Sequence, residues 1–133
     1  KEPVASLQAA DMDRRVIKAA IANAHQAGVD DILAFKVQDM VNAKAGEAAG
    51  VMVSNPPYGI RLEEEHFLNG FYPQLGGVLK QQFHGWQVGL ISADMGLPKG
   101  LRLKSERKIP LFNGKLDCRL FIFKMVQGSN RGE

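Results

Sequence analysis

The chain has 133 residues, 45% of them hydrophobic, with a formal charge of +3 and a pI near 9.1. That length holds one domain or a piece of one, and no apolar run reaches the roughly 18 residues that a membrane span needs. A single cysteine, Cys118, excludes an intramolecular disulfide; the mild basicity permits a nucleic-acid partner without demanding one.

Val4 to Ala10 is a short, mostly apolar run, read as a first strand, that ends at Asp11-Met12-Asp13. Arg14 to Ala27 follows with helical spacing, and Val16, Ala19, Ala20, Asn23, Ala24 and Ala27 predict a small-residue face. Asp11 or Asp13 suits its N-cap, and Gly28 its stop. Ile32 to Val37 reads as a second strand ending at Gln38-Asp39, and Gly50 to Ser54 as a third that enters Asn55-Pro56-Pro57-Tyr58. Glu63-Glu64-Glu65 opens a helix to about Phe83, where Pro73 and Gly76-Gly77 predict a kink or a break. Trp86 to Ser92 is the fourth strand. Leu101 to Lys104 alternates as a half-exposed strand does, Asn113-Gly114 signals a hairpin turn, and Asp117 to Met125 is the last strand. Strands alternating with helices predict an α/β fold, mainly parallel, with a C-terminal antiparallel hairpin.

The four residues after the third strand carry the most chemistry. Each proline fixes its own φ and lacks an N–H, and each biases the residue before it toward extended geometry. The Asn55 amide and the Pro56 carbonyl then form fixed acceptors beside the Tyr58 ring, which suits a planar exocyclic NH2 group. The same letters also suit a plain strand-terminating turn. Asp11 and Asp39 stand at the ends of the two preceding strands, where ligands bind in open α/β sheets. A helix cap at Asp11 and a solvated loop acid at Asp39 are the ordinary alternatives. His25, His66 and His84 show no metal-ligand spacing, so no metal is expected. Cys118 reads as a core thiol and Trp86 as core or interface. Arg61 lies close after the tetrapeptide, and Arg102, Lys104, Arg107 and Lys108 line one region; each suits phosphate contact or a plain solvated edge.

Asn55-Pro56-Pro57-Tyr58 resembles the Asp/Asn/Ser-Pro-Pro-aromatic motif of S-adenosylmethionine-dependent methyltransferases acting on exocyclic amines. The trio Asp11, Asp39 and Asn55 is similar to the strand-end pattern of the class I, Rossmann-like methyltransferase sheet. Asp11 to Ala20, Ser54 to Gly59, and Leu111-Phe112-Asn113-Gly114-Lys115-Leu116-Asp117-Cys118 resemble one family, the large-subunit ribosomal RNA guanine-N2 methyltransferases, often labelled adenine-N6 DNA methylases. The resemblance runs from about Ala9 to Met125.

It implies S-adenosyl-L-methionine as cofactor, bound by Asp11, Met12, Asp39 and Asn55, with Asp11 on the ribose and Asp39 on the adenine amine. It implies Asn55, Pro56, Pro57 and Tyr58 as the catalytic loop, ribosomal RNA as partner and DNA as the alternative; the lack of a long apolar run predicts no membrane span, and the single cysteine fits a cytoplasmic setting. No Gly-x-Gly pattern lies ahead of Asp11. The chain is therefore expected to be the C-terminal part of a methyltransferase domain, from strand two onward. The upstream glycine loop and RNA-binding THUMP domain would be absent, the sheet would carry a gap, an exposed edge or a rearranged pairing, and little activity is expected alone. Adenine-N6 methylation of DNA or RNA, and a non-catalytic nucleic-acid-binding module, are the competing functions.

Overall fold

A computed structural model describes residues 6–57 and 62–126, with the backbone alone for 62–66 and 113. The chain divides into two compact units, Lys1–Ala43 and Lys44–Glu133.

In the first unit, β1 (Leu7–Asp11) pairs in parallel with β2 (Leu33–Val37), from Leu7↔Leu33 to Asp11↔Val37. The connection is α1 (Arg14–Ala27) and a single 3-10 turn, Asp30–Ile32. Asp13 is the N-cap of α1: its carboxylate accepts from the Arg15 backbone N–H at 2.8 Å. Gly28 ends the helix at φ 76°, a left-handed conformation that costs glycine little. The buried residues of α1 are Ile17 and Ala24, with Ala20 half-buried between them. The predicted small-residue face is thus displaced: Val16, Ala19, Asn23 and Ala27 are exposed. A stripe at positions 17, 20 and 24 keeps the three-and-four spacing and also buries the largest side chain, Ile17, which outweighs alanines in transfer free energy.

The second unit holds a four-stranded sheet in the order β3-β4-β6-β5. The strands are β3 (Val51–Ser54), β4 (Gln87–Ser92), β5 (Arg107–Asn113) and β6 (Leu116–Lys124). β3 and β4 are parallel, and β6 runs antiparallel to both β4 and β5. The expected parallel pairs and C-terminal hairpin are present, and among the described residues no ladder joins the sheets of the two units.

One face of this sheet is dry. Val88 and Leu90 on β4, opposite Phe123 and Phe121 on β6, are all fully buried. They make the core with α2 (Leu62–Gln82), whose Leu68, Tyr72, Leu75 and Leu79 recur at helical spacing, and with Leu97 and Leu101 of α3 (Leu97–Leu101). Val51 and Val53 on the opposite face are 68% and 65% exposed. Cys118 is a buried core thiol, as expected.

A break in α2 and a strand at Leu101 to Lys104 are both absent, for local reasons. α2 runs unbroken through Pro73 and both glycines. Pro73 removes one ladder hydrogen bond, but the buried side chains at 68, 72, 75 and 79 hold both halves to one core. Gly76 is a contact residue rather than a breaker, since a Cβ there would run into the Leu101 carbonyl of α3. Leu101 to Lys104 is the end of α3 and a turn with Arg102 at φ 58°, not a strand; β5 begins at Arg107. Leu101 and Leu103 are nevertheless both buried, which explains their alternation. No helix among the described residues is long and apolar enough to cross a membrane.

Candidate functional site

In the first unit the structure brings two carboxylates to the carboxyl ends of neighbouring parallel strands. Asp11 closes β1, and its backbone carbonyl accepts from Gln38 N–H at 2.9 Å, tying the end of β2 to it. One oxygen of the Asp11 side chain accepts from Asp13 N–H at 2.8 Å. Asp39 caps a second 3-10 turn, Met40–Asn42, by accepting from Val41 N–H at 3.1 Å. Both acids are half-buried. Each thus uses one oxygen to fix its own loop, and among the described residues the other has no hydrogen-bond partner. The α1 cap thus falls to Asp13 and not to Asp11, which braces the loop before the helix, while Asp39 caps a short turn instead of standing as a free loop acid. Met12 follows Asp11 and is 70% exposed.

In the second unit β3 delivers Ser54 to the edge of the sheet and the chain leaves as Asn55-Pro56-Pro57. Pro56 is buried while Asn55 and Pro57 are exposed, so the loop is anchored at its middle and presents the Asn55 amide outward. Among the described residues that amide has no hydrogen-bond partner. Tyr58 and Arg61 lie outside the described residues.

Sequence reasoning missed a polar trio at the same end of this sheet. Ser54 pairs with Leu90, so Ser92 and Asp94 continue past it at the end of β4. Ser92 is fully buried, and its Oγ accepts from Asp94 N–H at 3.0 Å. Asp94 Oδ1 accepts from Gly96 N–H at 2.8 Å, and Oδ2 accepts from the Tyr72 hydroxyl at 2.9 Å. Burial, and then the hydrogen bond and negative charge of Asp94, push the Tyr72 phenol well above its ordinary range. The signal available was position: Asp94 follows the fourth strand as Asp39 follows the second.

The remaining candidates divide plainly. His25 pairs with Asp30 at 3.1 Å on the surface, and its hydrogen bond holds the Asp30 carboxyl below its usual value. No metal-binding cluster occurs among the described residues. Trp86 is half-buried; its indole N–H donates to the Glu47 carbonyl at 2.8 Å and its ring meets Phe83 edge-on. Arg102, Lys104, Arg107 and Lys108 are all exposed.

The model of the RMKL-like methyltransferase domain family, UPF0020, matches residues 1–122. The chain is 39% identical over 121 residues to the Ribosomal RNA large subunit methyltransferase K/L of Shewanella amazonensis, covering 91% of this chain and 17% of that protein. It thus spans about a sixth of the curated relatives it matches. Among solved structures it is similar to SMU.472, assigned as a methyltransferase and complexed with SAH, with a TM-score of 0.82 and 27% identity over 89% of this chain and 31% of that one. It is also similar to a predicted N6-adenine-specific DNA methylase from Listeria monocytogenes, with a TM-score of 0.74 and 28% identity over 87% and 29% of the two chains. The fold is of the class I, Rossmann-like methyltransferase type. By its sequence over nearly its whole length, the chain belongs to the RMKL-like methyltransferase domain family.

Proposed function

We propose that the chain takes part in S-adenosyl-L-methionine-dependent methyl transfer to the exocyclic N2 amine of a guanine in ribosomal RNA. The observation that carries this reading is the Asn55-Pro56-Pro57 turn at the end of β3, with Asn55 outward and Pro56 anchored. An exposed Asn55 on a loop held by a buried Pro56 is open to a ligand at a fixed position.

The cofactor supplies a methyl group already activated on a sulfonium. The residues present fit its adenosine part. Asp11 and Asp39 each keep a carboxylate oxygen beyond the one that fixes their loop, suited to hydroxyl and amine donors respectively. SAH, bound in the similar SMU.472, is the demethylated form of this cofactor and supports the same reading. The Asn55 side-chain oxygen and the Pro56 carbonyl accept the two N–H groups of the target amine. Held this way, the nitrogen lone pair is freed from ring conjugation and the positive charge growing on nitrogen is stabilised. As the new C–N bond forms and the S–C bond breaks, one amine proton leaves to water, and no side chain is required as base. Tyr58 stacks on the extruded base.

The Shewanella relative's name supports ribosomal RNA as the substrate, and a cytoplasmic setting is part of the same proposal. The Listeria neighbour's name supports a second reading, adenine N6 in DNA, since adenine presents the same NH2 to the same acceptors. We also propose that the 133 residues act within a longer catalytic chain, as the small share of each relative that they span suggests. In the intact protein, methylation of rRNA and DNA followed by nucleoside analysis should yield N2-methylguanine, and methyladenine as sole product would sink the guanine assignment. Asn55→Ala should abolish turnover while leaving S-adenosylmethionine affinity within about threefold; near-normal turnover would refute the assigned role.

A further inference from the structure

The hairpin tip Phe112 to Leu116 has no part in the site described so far. From the register, it stands at the end of the sheet where Asn55 lies. The β4–β6 ladder stops at Ser92↔Arg119, whereas the β5–β6 ladder runs on to Asn113↔Leu116. The hairpin therefore overhangs the end of β4 by about 10 Å at the strand rise per residue. In the order β3-β4-β6-β5 it rises about 14 Å across the sheet from β3, at the usual strand spacing.

Its surface is unusual for a β-turn. Phe112 is 76% exposed, the most exposed large hydrophobic residue among those described. Lys108, Pro110 and Phe112 alternate onto one face of the edge strand, and all three are exposed. Gly114 turns the tip at φ 64° beside exposed Lys115. The hairpin's acids are already occupied: Asp117 pairs with Arg119, and Glu106 with Lys124 at 3.9 Å. Among the described residues Arg107, Lys108 and Lys115 have no acidic partner. Amid uncompensated cations, Phe112, with exposed Pro110 beside it and Leu116 38% exposed at the tip, is too small an apolar patch for a stable protein interface. It does match what a single-stranded nucleic acid offers, a flat base on a charged backbone.

We infer that the tip is a docking surface for the single-stranded RNA flanking the target base, with Phe112 stacking on an unpaired base and Lys115 and Lys108 holding phosphates. It rests on the RNA methyl-transfer reading above and gives that reading a grip on the substrate away from the reacting amine. The spacing from the Asn55 loop corresponds to a few nucleotides, so a strand running over the ends of β4 and β6 reaches both.

The test measures binding of the intact protein to a short single-stranded RNA carrying 2-aminopurine, with the same sequence as a duplex for comparison. Phe112→Ala should weaken single-strand binding roughly tenfold, and Phe112→Tyr should restore it, since either ring stacks. Lys115→Ala should lower the salt slope of binding by about 0.7. Wild-type affinity in Phe112→Ala, equal affinity for the duplex, or a changed oligomeric state without loss of RNA binding would each overturn the inference. Methylation by Asn55→Ala is measured alongside. Retained methylation there defeats the methyl-transfer reading alone, whereas an inert Phe112 with an essential Asn55 defeats the hairpin alone.

Discussion

Replacing Tyr72 by phenylalanine removes one oxygen and little volume, so it isolates the bond that joins the middle of α2 to the end of β4. Tyr72 is only 6% exposed, and its hydroxyl donates to a carboxylate at 2.9 Å. A hydrogen bond to a charged group contributes about 1.5–3 kcal/mol, and Asp94 keeps its second bond, to Gly96 N–H, so the lower half of that range applies. We expect Tyr72→Phe to lose about 1.5 kcal/mol near pH 8. The pH dependence has a definite sign. The folded-state pKa of Tyr72 is raised above the ordinary value of 10.0, so its contribution is fully present below pH 10 and is lost as pH rises further. At pH 11 an unfolded phenol is about 90% ionised, and the wild-type advantage should shrink by about 1.4 kcal/mol. Urea unfolding followed by the fluorescence of Trp86, the chain's single tryptophan, reads both numbers. Equal stability at pH 8, or a gap that does not narrow by pH 11, would refute the reasoning.

Two neighbouring glycines should respond with opposite sign. A Cβ at Gly76 meets the Leu101 carbonyl, a backbone atom that cannot rotate away, and we expect Gly76→Ala to cost about 1–3 kcal/mol. A Cβ at Gly77 meets nothing within 4 Å, so Gly77→Ala should stabilise by about 0.5–1 kcal/mol in the same unfolding assay. Arg15 holds the Asp13 carboxyl below its ordinary value, so the cap is fully effective above about pH 4 and weakens as pH falls. Asp13→Ala should lower the helical circular dichroism at pH 7, and the difference from wild type should narrow as the pH falls below the ordinary carboxylate range.

The sequence made some of this plain and hid the rest for identifiable reasons. α1 was legible to its ends because Asp13 and Gly28 are local signals, each acting within one turn. The strand ends at Asp11 and Asn55 were legible because strand length and polarity change together there. α3 was not, since five residues containing Pro98 and Gly100 carry no periodicity. Its only cue was a proline in the first turn, where the missing N–H costs nothing. The continuity of α2 was hidden because Gly76 is dictated by Leu101, 25 positions away in the chain. Tyr72 and Asp94 are 22 residues apart, and nothing local marks either as the other's partner.

The placement of β6 between β4 and β5 has a kinetic consequence. β5 is made before β6 and among the described residues pairs only with it, and β4 lacks its second neighbour until the same strand arrives. During synthesis the chain therefore carries an unpaired β5 and an open edge on β4 at once, and the sheet closes late through a contact of long sequence separation. Lys108 and Pro110 suit that interval. An exposed charge and a residue with no N–H make β5 a poor template for a stray strand while it waits. Slow closure at β6, rather than helix formation, should set the folding rate of this unit.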